Sequence, residues 1–290
     1  MAQQIPLDPS LQTALDSDDP VHEIAPDVAY RRLAIVNVAF HGLPNATDWV
    51  LIDTGLPGTK GLIQSAAKSR FGDRPPAAII LTHGHFDHVG VLEALAKEWE
   101  VPIYAHVHEH PYLNGTASYP PADPTVGGGL MSLLSPLFPT SPVNVKRYLH
   151  ALPEDGTVPH MPGFQWIHVP GHAAGQVALW READGVLISA DAFITTAQES
   201  AYAAATQEPE LHGPPMYFTH DWQAARDSVR KLAALRPKIV VSGHGRAMHG
   251  AGLLPALAKL AAEFDEIAVP KHGRYVENPK RAEDGSAYRL

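Results

Sequence analysis

Cysteine is absent from this 290-residue chain. That absence removes disulfides, thiolate metal ligands and a thiol nucleophile together, and it leaves the redox compartment open. Positive charge is scarce: 22 Lys and Arg stand against 31 Asp and Glu, a net charge of −9 with His neutral. Gripping a phosphate backbone needs clustered cations, so a nucleic-acid partner is not expected. No apolar run reaches the roughly 18 residues of a spanning helix, so a membrane partner is not expected either. The opening residues Met1-Ala2-Gln3-Gln4-Ile5-Pro6 lack the basic and apolar regions of a secretory signal, which makes a cytoplasmic location the expectation.

What the chain does have is hydrophobic residues at 45% and 17 His. The first suffices for one large core. Residues 1–20 are polar and read as a lead-in. From 21 to 268, strand-like and helix-like patterns alternate, which predicts a layered α/β domain. Strands are expected at Val28–Leu33, Ile35–Phe40, Trp49–Ile52, Ala77–Leu81, Val101–Ala105, Phe164–Val169 and Lys238–Ser242. The turn Ala183-Asp184-Gly185 predicts a hairpin of Gln176–Trp180 with Gly185–Ser189. Helices are expected near Leu62–Phe71, Val91–Trp99, from Trp222 behind an Asp221 cap, and over Leu253–Ile267. Residues 111–163 are punctuated by Pro and Gly yet carry Leu130, Met131, Leu133, Leu134, Leu137 and Phe138, and read as a lid-like insertion. Residues 269–290 read as a polar C-terminal tail.

The densest chemistry is the run Thr82-His83-Gly84-His85-Phe86-Asp87-His88-Val89, placed directly after the strand Ala77–Leu81. Histidine is the commonest metal ligand, and a neighbouring carboxylate suits a hard or borderline divalent ion. Three further strands also end at a candidate ligand: His172, Asp191 and His244. A fourth ends at Asp53. Loops past strand ends carry chemistry because the sheet positions them. The alternating His106, His108 and His110 share a face at strand period, and without a fourth ligand they read as a solvated or pocket-lining row.

In this pattern the chain resembles the metallo-β-lactamase-fold hydrolases. The match is His-x-His-x-Asp-His at His83–His88, followed in order by Pro-Gly-His172, Ser-Ala-Asp191 and Gly-His244-Gly, with Asp53-Thr54-Gly55 upstream, and it covers about residues 28–268. The resemblance implies a four-layer αββα sandwich and two divalent metal ions. His83, His85 and His172 would hold the first ion, Asp87, His88 and His244 the second, and Asp191 would bridge them. Asp53 would orient the ligand loops. Zinc suits these nitrogen and oxygen ligands best, with manganese and iron as alternatives. Activity would follow from a metal-bridging hydroxide attacking a carbonyl carbon, Asp87 passing a proton to the leaving group.

The resemblance also narrows the chemistry. Lactamases of this fold that use a Cys ligand are excluded by composition. Quorum-signal lactonases carry a Tyr three positions after the bridging Asp, where this chain has Ile194, and Tyr217 is the candidate substitute. Glyoxalase II-like thioesterases have a basic C-terminal patch, which Lys271-His272-Gly273-Arg274-Tyr275 only faintly matches. The expectation is therefore a dinuclear hydrolase of a small apolar ester or lactone. A thioesterase of glyoxalase II type and a mononuclear-iron persulfide dioxygenase are the alternatives. Phe86, Leu134, Phe138, Ile194, Tyr217 and Phe218 are the candidate pocket residues. The expected partner is a small-molecule substrate, and a homodimer is compatible with the sequence.

Overall fold

The computed structural model describes residues 4–8, 21–206 and 208–289. Strand β1 is Ile5–Pro6. Seven strands follow: β2 (His22–Ala25), β3 (Val28–Leu33), β4 (Val36–His41), β5 (Val50–Ile52), β6 (Ala78–Ile80), β7 (Ile103–Ala105) and β8 (Leu149–Ala151). They form one sheet in that order, antiparallel from β2 to β5 and parallel from β5 to β8. The remaining strands are β9 (Gln165–His168), β10 (Val177–Arg181), β11 (Val186–Ala190), β12 (Glu210–Leu211), β13 (Ile239–Ser242) and β14 (Met248–His249). A second sheet runs β14-β13-β11-β10-β9, with β11 and β13 parallel, and β12 pairs with β1.

Both faces of the central strands are buried, which explains why they read as continuous apolar runs. Val50, Ile52 and Ile80 face Val177, Leu179, Val186, Ile188 and Val241 in a core between the sheets. The alternate residues Leu51 and Ile79 pack under helices Lys60–Phe71 and Leu92–Trp99. On the other side Ala178, Trp180, Leu187 and Val240 pack under helices Trp222–Ala234 and Leu253–Ala262. The layers are therefore helix, sheet, sheet, helix: an αββα sandwich. The Asp221 carboxylate caps its helix, accepting from the N–H groups of Gln223 and Ala224 at 3.1 Å each. The last helix is shorter than its periodicity suggested. It ends at Ala262, and a separate turn spans Phe264–Ile267.

Three peripheral segments differ from the sequence reading. Of the expected lead-in, residues 1–3 and 9–20 lie outside the described residues, but Ile5 is buried in the second core and pairs with Leu211. Residues 111–163 are not a free-standing insertion, because β8 completes the first sheet and Leu113 and Val145 enter its core. The tail is docked rather than trailing. Tyr275 is buried, the Tyr112 hydroxyl donates to the Ala287 carbonyl at 2.8 Å, and the Tyr288 hydroxyl donates to the His108 carbonyl at 3.0 Å. No helix among the described residues is long and apolar enough to cross a membrane.

Candidate metal centre

The expected ligands stand on loops that leave the strand ends on one edge of the sandwich. Two of those ends are strained. Asp53 follows β5 at φ 59° and Ala190 ends β11 at φ 50°, both in the left-handed region that non-glycine residues seldom occupy. At Gly243, past β13, there is no room for any side chain. A Cβ there would overlap Asp191 Oδ1 and stand 2.9 Å from His88 Cε1.

The structure brings all seven side chains together. Three overlapping groups have ligand atoms within 4.8 Å of one another: His83, His85 and His172; Asp87, His88 and His244; and His83, His88 and Asp191. His85 Nδ1 lies 2.9 Å from His172 Nε2. Asp191 Oδ2 is 3.4 Å from His172 Nε2, 3.6 Å from His88 Nε2 and 3.1 Å from His244 Nε2. That one oxygen thus touches members of both triads. His244 Nε2 is also 3.5 Å from Asp87 Oδ2.

The hydrogen bonds behind the rings fix which nitrogen faces inward. His88 Nδ1 donates to Asp53 Oδ2 at 2.8 Å, and His244 Nδ1 donates to the Ile35 carbonyl at 2.6 Å. Thr82 Oγ1 gives its proton to Asp53 Oδ2 at 2.7 Å and therefore accepts from His83 Nδ1 at 3.1 Å. Thr219 Oγ1 likewise donates to the Pro215 carbonyl and accepts from His172 Nδ1 at 3.3 Å. His83 Nε2 and His88 Nε2, opposite those anchored nitrogens, are buried and have no hydrogen-bond partner, and the same holds for His85 Nε2 and Asp191 Oδ1, although His85 turns Nδ1 and Asp191 turns Oδ2 to the other ligands. Each such orphan costs about 1–3 kcal/mol, so the arrangement as it stands is destabilising. Imidazole lone pairs converging on carboxylates are what a divalent cation satisfies, and the donor set fits one.

Electrostatics agrees for the first triad; at His88 and His244 burial works in the same direction, but the neighbouring carboxylates, Asp191 foremost, outweigh it and raise both. Burial, reinforced by neighbouring imidazoles, holds His83 and His85 far below the usual histidine range and His172 down to about 4, although Asp191 partly opposes this at His83 and His172. These rings are neutral, the form that binds metal. Burial raises the Asp191 carboxyl, but His244 and His88 outweigh it and hold the group ionised. Burial pushes Asp87 up, against the pull of His88 and His244.

Besides Asp53, two residues that brace the loops were missed by sequence reasoning. Glu109 is fully buried between two of them. Its Oε2 accepts from the Gly84 N–H at 2.8 Å and from the Tyr119 hydroxyl, and its Oε1 accepts from the Gly175 N–H at 2.7 Å. Burial pushes the group up to about 7, against those three donors. Asn37 ties β4 to the fourth ligand loop, its side-chain amide donating to the Ser242 and Gly245 carbonyls at 2.9 and 2.7 Å. A lone charged residue inside a row of histidines was the signal for Glu109; nothing local marks Asn37.

The expected pocket residues divide. Phe86, Phe138, Tyr217 and Phe218 form one apolar cluster with Ala122, Val126 and Met131. Phe86 stacks on Phe138 at 5.4 Å, and the Phe218 ring lies 5.0 Å from that of His85. Leu134 lies outside that cluster and is 38% exposed, because its five-residue helix turns Met131 toward the cluster and Leu130, Leu133 and Leu134 toward solvent. Ile194 is fully buried with its backbone paired to His212, outside that cluster. The histidine row also splits. His106 and His108 meet His168 of β9, whereas His110 turns to the carbonyls of Ala105 and His150.

The model of the metallo-beta-lactamase superfamily matches residues 35–244. Among curated relatives, the probable metallo-hydrolase YflN of Bacillus subtilis (strain 168) is 44% identical over 247 residues, 84% of this chain and 94% of that protein. The probable metallo-hydrolase YybB of the same organism is 26% identical over 203 residues, 70% of this chain and 78% of that one. Among solved structures, a B3 metallo-beta-lactamase with an active-site glutamic acid matches with a TM-score of 0.57 and 19% identity, covering 85% of this chain and 89% of the other. A metallo-beta-lactamase family protein from Thermus thermophilus, TTHA1429, matches with a TM-score of 0.55 and 18% identity, covering 84% of this chain and 81% of the other. Those two likenesses bear on the fold alone.

Proposed function

The chain belongs to the metallo-β-lactamase superfamily, and from that premise we propose that it is a dinuclear metal-dependent hydrolase of small apolar esters or lactones. The observation that carries the two-metal reading is Asp191 Oδ2, which lies within 3.1–3.6 Å of nitrogens from both triads. His83, His85 and His172 would hold one ion, Asp87, His88 and His244 the other, and Asp191 both. When bound, such ions supply Lewis acidity and lower the pKa of water toward neutrality; zinc suits the donor set best.

The chain's own residues then orient and exclude. Asp53 and the Ile35 carbonyl hold the His88 and His244 rings by their outer nitrogens, so the inner lone pairs stay aimed. Of the seven ligand residues Asp87 is the most exposed, at 8% against 3% or less for the others. It is therefore the one placed to exchange a proton with a leaving group. Phe86, Phe138, Tyr217 and Phe218 cluster together, with Phe218 against the His85 ring, and apolar surface there would favour an acyl chain or ring over a polar group.

A panel of apolar lactones, aryl esters and short polar thioesters tests this reading, with metal content measured on the same preparation. Lactones and esters are expected to lead, with two ions per chain. Thioesters far ahead of both would replace it with a thioesterase. One iron per chain with oxygen uptake on a persulfide would replace it with a dioxygenase.

A further inference from the structure

The half-buried histidines His106, His108 and His168 have no part in the centre above. His106 and His108 follow β7 and His168 ends β9, so the group joins the two sheets. One ligand atom from each lies within 4.8 Å of the other two. The rings of His106 and His168 are stacked at 4.2 Å and 9°, and the ring of His108 lies 4.8 Å from His106 and 5.7 Å from His168. We propose that these three residues form a separate site for a borderline divalent transition ion, with three imidazole ligands and the remaining coordination left to water.

Two of the rings are already set for that role. His168 Nε2 donates to the Ala174 carbonyl at 2.9 Å, which leaves the Nδ1 lone pair free and fixes the ring as metal-binding histidines usually are. His108 Nδ1 is buried and has no hydrogen-bond partner. The third ring is less prepared, because His106 Nδ1 accepts from the His108 N–H at 3.2 Å. Ligation there releases that long contact or turns the ring to present Nε2. Ligand nitrogens around a tetrahedral ion with 2.0–2.1 Å bonds stand about 3.3 Å apart, so the site closes by side-chain rotation rather than backbone movement. A set of imidazoles without carboxylate selects zinc, nickel, copper or cobalt over calcium or magnesium.

Occupancy would reach the central site through the frame. The turn Val107–Glu109 carries both His108 and Glu109, and Glu109 holds the loops at Gly84 and Gly175. An ion there pins that turn to β9 and so stiffens the base of two ligand loops.

The test uses the untagged, metal-loaded protein, equilibrated with Zn²⁺ or, in a second arm, Ni²⁺, with bound metal counted per chain by plasma mass spectrometry. Wild type is expected to hold one equivalent more than the double variant His106→Gln, His168→Gln. The added ion is expected to raise the melting temperature of wild type and not of the variant. Equal counts in the two proteins would overturn the proposal, as would an extra equivalent that the variant retains. The readout is a difference of one ion, so it fails independently of how many ions the central site takes. If the double variant does not fold, His108→Ala carries the same comparison.

Discussion

Adding one methyl group at Gly243 should dismantle the metal centre without removing a ligand. The backbone there is held from both sides: its N–H donates to the Ala190 carbonyl at 2.9 Å, and its carbonyl accepts from the Asn37 N–H at 2.7 Å. Gly243 therefore has little freedom to retreat, and the overlap of a new Cβ with Asp191 Oδ1 falls on the carboxylate. Relieving it takes a displacement of more than about 1 Å. Metal–ligand distances tolerate about 0.2 Å, so the displacement exceeds that tolerance about fivefold. Overpacking of this kind costs about 1–3 kcal/mol, which a domain this size survives. Gly243→Ala is expected to fold, to lose at least one metal equivalent and to lose turnover about 10²-fold or more. Gly61→Ala is the control: nothing lies within 4 Å of its Cβ, and in helix Lys60–Phe71 the change should be neutral or slightly stabilising. The assay is metal content with circular dichroism, followed by turnover on the best substrate of the panel. A folded Gly243→Ala protein with a full metal complement and wild-type turnover would refute the placement of Asp191.

Two further predictions concern the braces. Asp53→Ala leaves the Thr82 N–H, the Thr82 hydroxyl and His88 Nδ1 without their acceptor; chelator competition should show metal affinity down about 10–100-fold with the fold retained. For Glu109 the sign follows from a folded pKa raised from 4.5 to about 7. Its contribution to stability is complete below about 4.5, where both states are protonated, and is lost as pH rises through about 7. The loss is about 3 kcal/mol. Urea melts across that window should therefore show a shallower fall in stability for Glu109→Gln than for wild type, and identical pH slopes would contradict the role of burial here.

The candidate ligands were readable because each of their loops begins at the end of a strand whose apolar run is visible in sequence: Leu81 before His83, Val169 before His172, Ser189 before Asp191, Val241 before His244. The sandwich was readable for the same reason, since central strands buried on both faces carry no polar alternation to obscure them. The periphery was not. β8 is three residues with exposed His150 and Ala151, so neither length nor pattern announced it. The tail reads as polar because only Tyr275 and Ala287 among its described residues are buried, and they dock on residues more than 150 positions away. The pairing of His106 with His168 has the same cause. A contact across 62 positions leaves no local trace, and only the approach of β7 to β9 across the two sheets creates it.

The most direct measurement is turnover of an apolar lactone or ester by protein stripped with chelator and then reloaded in steps, with bound metal counted at each step. The two-metal account predicts negligible turnover in the stripped protein and full activity only as the central site takes its second ion. Unchanged turnover in metal-free protein, or full activity at a single equivalent, would contradict it.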